Sequence, residues 1–260
     1  MEIPEQHGFR ILPRELFPTF VSVNLIIDQG NTQTKLALFE RDELVEKAVF
    51  PSTDPEAVIQ WADTRTKGSA DVLISSVIKQ SINLDSRNLL RLTPQTPLPL
   101  VNTYHSPETL GNDRLANAVA AWIKNPGKNS LVIDMGTCIK YDLVNAKGEY
   151  LGGIISPGMR MRYSALHQLT GQLPELEYTD KRQSYGTDTA SSITEGVQQG
   201  IEHEINGFVE RYAIAFTGLT IFMTGGDLNS FDLAFKSPIF ADSDLTLFGL
   251  NEILKYNVQS

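Results

Sequence analysis

The stretch LIIDQGNTQTKLALF, residues 25–39, decides how this chain is read. Three aliphatic residues run into Asp28. The chain then turns through Gly30, Asn31 and Thr32 and resumes as TKLALF. A continuous aliphatic run reads as a strand covered on both faces. Such a strand has no packing reason to end on a carboxylate and a cluster of small polar residues. A second stretch, LVIDMGTCIKYDLV at 131–144, repeats the layout. Asp134 and Gly136 stand as far beyond their aliphatic run as Asp28 and Gly30 do beyond theirs.

Working outward, residues 23–29, 34–40 and 44–50 read as three strands, with ERDE as the hairpin turn. Pro55 opens a helix over 55–66, where a proline at the first turn is tolerated. Residues 71–77 form another buried strand, and 83–92 are expected to be helical. A helix over 112–123 is ended by Asn125, Pro126 and Gly127. The pattern then restarts with strands at 130–135, 139–145 and 149–155. A turn and a helix follow in SPGMRMRYSALHQLTGQL, then a long helix over 188–216, a strand over 219–226 and a last helix within 242–256. A β-β-β-α-β-α unit is thus used twice, with its seam at Pro126–Gly127. The expected organisation is an extension at 1–22, a first subdomain at 23–127 and a second at 128–260 that carries the C-terminal helix.

The 260 residues are 41% hydrophobic and 20% charged, as in ordinary soluble globular proteins. The net charge of −9 argues against a nucleic-acid partner, which requires a basic face. Small anions remain within reach, because backbone N–H groups hold them without net positive charge. Cys138 is the only cysteine, so no intramolecular disulfide forms, and a reducing compartment, the cytoplasm, is expected. No apolar run approaches the ~18 residues of a membrane span. The apolar residues of the first 22 positions are too scattered for a signal-peptide core.

A tight turn after a buried strand points several N–H groups at one spot, and Gly30 permits close backbone approach. Thr32 and Thr137 add hydroxyl donors, and Lys35 adds a cation. Asp28 and Asp134 would repel a phosphate, so a cation or its bound waters suits them better. Two facing copies would grip one polyphosphate, and the Thr224–Gly225–Gly226 turn offers a third close approach for a flat adenosine. One Asp-x-Gly turn alone is common and more often structural. Two in matching places carry more weight. A second constellation is TYHSPETLGNDRLANAVAAW, residues 103–122. Asp113 and Asn117 share a helical face, with Arg114 beside them in the first turn. Such a carboxylate takes a proton from a hydroxyl while the arginine holds an anion. Taken alone, the plainer reading prevails, in which an early Asp merely complements the helix dipole. His7, His105, His167 and His203 show no metal-ligand spacing. Cys138 is expected to be buried and has no evident activating base.

The motifs together resemble those of the type III pantothenate kinases, within the actin, sugar-kinase and Hsp70 ATPase superfamily. DQGNTQTK is similar to the first phosphate motif of that family and DMGTCIKYDLV to the second. YHSPETLGNDRLANAVAA is similar to its substrate and catalytic motif. GEYLGGIISPGMRMRYSALHQLTGQLP, YGTDTASSITEGV and TGG complete the set. The resemblance covers about residues 24–256. It implies a duplicated ribonuclease H-like (actin-like ATPase) α/β fold, two mixed sheets flanked by helices around a nucleotide cleft. It further implies ATP binding by Asp28, Gly30, Asn31, Thr32, Lys35, Thr137 and Gly225, with magnesium accompanying ATP. Asp134 would hold a monovalent cation, potassium or ammonium, and Asp113 would be the general base. Tyr104, Gly111, Asn112, Arg114 and Thr189 would hold pantothenate, with Arg114 on its carboxylate, in a site completed across a homodimer. The activity implied is phosphorylation of pantothenate to 4′-phosphopantothenate, the first step of coenzyme A biosynthesis. Departures are the extension before residue 23, Cys138 where the family commonly has alanine, and Thr187–Asp188 before Thr189. An accessory protein on the same scaffold and a kinase of another small alcohol are the competing readings.

Overall fold

The first aliphatic run folds as the central strand of a five-stranded sheet. The computed structural model describes residues 23–78, 82, 84, 88–231, 233 and 235–258, so the extension at 1–22 lies outside the described residues. Strand β1 (Val23–Gln29) pairs antiparallel with β2 (Gln33–Glu40), and β2 with β3 (Glu43–Pro51). The ERDE turn places Arg41 at φ +57°. Helix α1 (Pro55–Thr66) starts where Asp54 accepts a hydrogen bond from the Ala57 N–H, and it carries Pro55 in its first turn. It leads to β4 (Asp71–Ser76), parallel to β1, and then to β5 (Asn88–Arg91), parallel to β4.

β5 corrects the helix expected over 83–92, of which residues 83 and 85–87 lie outside the described residues. The run NLLR is short, and its helical preference is weak. Beside β4 it gains a ladder of backbone hydrogen bonds, and the Asn88 amide donates to Asp71 Oδ1 at 2.6 Å. The edge of an existing sheet decided its conformation.

The second half repeats the plan. After β6 (Val101–Asn102) and α2 (Asn112–Lys124) come β7 (Ser130–Met135), β8 (Cys138–Val144) and β9 (Glu149–Pro157). Helices α3 (Met159–Gln168) and α4 (Thr189–Ala215) lead to β10 (Thr220–Thr224), β11 (Ile239–Ala241) and α5 (Leu245–Val258). The sheets run β3-β2-β1-β4-β5 and β9-β8-β7-β10-β11 in the same sense, with β6 added beyond β9. Two mixed sheets of equal order, flanked by helices, make a duplicated ribonuclease H-like fold.

The two inner helices join the halves. α2 packs on β7 and β8, α5 packs on β1 and β4, and the two helices pack on each other. Gly249 sits at their crossing, where an added Cβ would lie 1.9 Å from the Ala116 carbonyl oxygen. Two polar contacts fix α5, one to β1 and one to α2. The Asn24 amide donates to Asn251 Oδ1, and the Thr246 hydroxyl to Asn117 Oδ1, each at 2.8 Å. α4 opens on a capping box in which Asp188 accepts from the Ser191 N–H. Among the described residues, no helix is long and apolar enough to cross a membrane.

Candidate active site

β1 and β7 both end at one cleft of about 460 Å³, and Asp28, Asp113 and Asp134 all line it. So do Gly30, Asn31, Thr32, Lys35, Thr137 and Gly225, which with Asp28 are the residues assigned from the sequence to ATP, together with Asn112. The turns that bring them there are tightly made. The Gly30 N–H donates to the Gln33 carbonyl at 3.0 Å, and the Ser52 hydroxyl donates to the Gly30 carbonyl at 2.7 Å. In the second copy the Gly136 N–H donates to the Cys138 carbonyl at 3.1 Å.

Gly225 presses the third turn onto β7. It has φ +103°, and an added Cβ would lie 2.2 Å from the Met135 carbonyl oxygen. Gly226, by contrast, has room for a Cβ. Gly225→Ala is therefore expected to destabilise the fold by roughly 1–3 kcal/mol, seen as a lower Tm and a raised KM for ATP. Gly226→Ala is the control and should leave Tm unchanged.

Asp28 is half-buried and accepts a hydrogen bond from the Ser75 hydroxyl at 3.0 Å. Burial pushes its carboxyl above the usual range. Ser75 offsets part of this, while the charges of Asp113 and Asp134 add to it. A carboxyl so placed gains from any cation brought into the cleft.

Asp113 lies in the first turn of α2, and both its oxygens are engaged. Oδ1 accepts from the Arg114 backbone N–H at 2.8 Å, and Oδ2 accepts from Lys140 Nζ at 2.7 Å. Gly111 makes this possible, because a Cβ there would lie 2.6 Å from Asp113 Oδ1. Lys140 also donates to Asp134 Oδ2 at 2.8 Å and so bridges the two carboxylates. Burial works against its ammonium, but Asp134 and Asp113 overcome that and hold its pKa above the usual lysine range. The sequence reading missed Lys140. The available signal was the repeat itself. Asp28 stands opposite Lys35 across the β1–β2 hairpin, and Asp134 stands opposite Lys140 across β7–β8.

The structure does not bring the remaining pantothenate residues to the cleft wall. Arg114 is 4% exposed, and its Nε and Nη2 donate to Asp142 Oδ1 at 2.9 and 2.7 Å. The Tyr150 hydroxyl donates to the same oxygen at 2.7 Å, and Arg114 lies 5.5 Å from the centre of the Tyr104 ring. Burial pushes the Asp142 carboxyl up, and Arg114 offsets only part of this. Asn117 is fully buried in the α2–α5 seam, so it does not share the working face of Asp113. Thr189 opens α4 and lines a separate groove with Leu166, Leu173 and Ile193. Cys138 is not buried as expected. It is partly exposed at the cleft, with Sγ 3.9 Å from Met161 Sδ.

The family described as type III pantothenate kinase matches residues 24–211. The chain belongs to the type III pantothenate kinase family. It is 46% identical to a type III pantothenate kinase of Bacteroides fragilis over 240 residues, which is 90% of this chain and 98% of the relative. It is 43% identical to that of Phocaeicola vulgatus over 242 residues, with coverage of 90% and 99%. Among solved structures, a Baf family protein of Campylobacter jejuni superposes with a TM-score of 0.59 at 20% identity, covering 91% of this chain and 100% of that one. Component A of the (R)-2-hydroxyglutaryl-CoA dehydratase of Acidaminococcus fermentans gives 0.54 at 14% identity, with coverage of 90% and 97%. These structural likenesses carry the fold alone. The family membership makes the chain a kinase.

Proposed function

We propose that the chain transfers the γ-phosphoryl group of ATP to the primary hydroxyl of pantothenate. The product is 4′-phosphopantothenate, and the reaction is the first step of coenzyme A biosynthesis in the cytoplasm. The observation that carries this reading is the convergence of Asp28, Asp113 and Asp134 with two matching strand-end turns on one cleft.

Phosphoryl transfer asks a protein mainly for positioning and charge neutralisation. The turns at Gly30–Thr32 and Gly136–Thr137 offer N–H and hydroxyl donors to the phosphates, and Lys35 adds charge. Asp113 takes the proton of the attacking hydroxyl. Its two existing hydrogen bonds leave lone pairs free for that purpose. Magnesium accompanying ATP suits Asp28, a hard oxygen donor whose carboxyl is raised by burial, and would neutralise phosphate charge there. Asn112 lines the cleft, and Arg114 follows it along α2 with N–H donors beyond the two given to Asp142. On this reading those donors hold the substrate carboxylate, for which the guanidinium, 4% exposed in this structure, would have to become accessible. Thr189 enters the reading as a residue offered to a second copy, in a homodimer, since its groove shares no lining residue with the cleft.

A monovalent cation at Asp134 fits this site poorly. The Lys140 ammonium already occupies one oxygen of that carboxylate. A second unit charge within ~4 Å of it would be repelled by about 4 kcal/mol at an effective dielectric of ~20, an effect that the neighbouring carboxylates of Asp113 and Asp28 offset in part.

The test is ADP release by the purified full chain with pantothenate and a panel of other small alcohols. Release that depends on pantothenate and exceeds the other alcohols at least tenfold is the expected result. Release independent of pantothenate, or none at all, overturns the proposal.

A further inference from the structure

The Lys140–Asp134 pair has a geometry of its own. Lys140 is placed by backbone register, directly across the β7–β8 hairpin from Asp134. Its side chain is 18% exposed and is held from two sides, by Asp134 Oδ2 at 2.8 Å and Asp113 Oδ2 at 2.7 Å. It is therefore a fixed charge and not a mobile surface lysine. The resemblance asks for potassium or ammonium at Asp134, and a lysine side chain ends in an ammonium group.

We infer that Lys140 supplies from within the chain the positive charge otherwise brought by a monovalent cation at Asp134. On this inference the enzyme works without added potassium or ammonium. The inference concerns the same cleft and rests on the kinase reading for its turnover arm only. A protein ammonium between Asp134 and Asp113 balances the first carboxylate and orients the second toward the substrate hydroxyl. Lys140 acts through Asp113 and is a positioning residue. The duplication makes its placement intelligible. Each hairpin sets a lysine opposite its strand-end aspartate, Lys35 opposite Asp28 and Lys140 opposite Asp134. In the second copy the helix that carries Asp113 comes close enough to share the charge.

Two measurements on the full chain test this. The first is pantothenate-dependent ADP release in choline chloride, potassium chloride or ammonium chloride at equal ionic strength. The wild-type rate should agree within twofold in all three. Lys140→Ala should lose at least tenfold in choline chloride and regain at least fivefold in potassium or ammonium. The second is the melting temperature of the substrate-free protein in the same salts. Wild type should melt alike in all three, whereas Lys140→Ala should melt higher in potassium or ammonium than in choline. This arm needs no substrate, so it reads the cation site even if pantothenate proves not to be phosphorylated. A wild-type chain stimulated more than fivefold by potassium, or stabilised specifically by it, overturns the inference. So does a folded Lys140→Ala variant that is indifferent to the choice of salt. If that variant does not fold, Lys140→Met, which keeps the stem without the charge, takes its place, and the wild-type arm decides alone if neither folds.

Discussion

Asp113→Asn is expected to lower turnover by about 10²–10⁴-fold, the range spanned by general-base catalysis, while ATP affinity changes less than twofold. The substitution is nearly isosteric. Its carbonyl oxygen still accepts from the Arg114 N–H, so the first turn of α2 keeps its local bond. Lys140 keeps Asp134 as a partner and is not left as an unpaired charge. The side chain of Asp113 is 38% exposed at the cleft, so no buried group is orphaned. What disappears is the basic oxygen that takes the substrate proton. On the proposed reading ATP is held elsewhere, on the turns after β1 and β7 and at Gly225, which is why its binding should survive. Steady-state ADP release and a direct ATP titration of the same preparation separate the two effects. A turnover loss below tenfold would remove Asp113 from the role of base.

Much of the fold could be read from two aliphatic runs. A fully buried strand has a one-dimensional signature, so β1, β4, β7 and β10 were all visible. The Asp-x-Gly ending shared by β1 and β7 gave the duplication, and with it the pairing of the two turns. β5 was misread because four residues hold no period to count, and their conformation was set by an edge supplied from β4. Lys140 was missed for a related reason. A single lysine on a strand says nothing until the register puts Asp134 opposite it and α2 brings in Asp113 from 27 positions away. Asn117 shows the converse. Helical spacing gave it the face of Asp113, but α5, from the far end of the chain, covers it. Local pattern located the two strand-end turns, while the contacts that tune the carboxylates depend on elements distant in sequence.

Asp142→Ala should be the most destabilising single change at the site, at about 3–5 kcal/mol, the cost of removing one partner of a buried ion pair. Three N–H and O–H groups, from Arg114 twice and Tyr150 once, lose their common acceptor, in a place where Arg114 is 4% exposed and Tyr150 fully buried. At roughly 2–4 °C per kcal/mol for a chain of this class, Tm falls by about 10 °C. Turnover falls as well, because the backbone N–H of Arg114 orients Asp113, and freeing the guanidinium frees that turn. The intact pair is itself costly. Asp142 Oδ2 is buried without a hydrogen-bond partner among the described residues, and burial pushes its carboxyl up. Replacing both members by apolar residues of similar size is therefore expected to restore part of the lost stability, the buried Tyr150 hydroxyl still lacking its acceptor. Arg114→Met combined with Asp142→Leu should melt above Asp142→Ala but below wild type, and be inactive on the proposed reading, in which the guanidinium holds the substrate carboxylate. Thermal melts and ADP release on the single and double variants read the two effects apart. An Asp142→Ala variant that melts with wild type would show that Arg114 has another anchor.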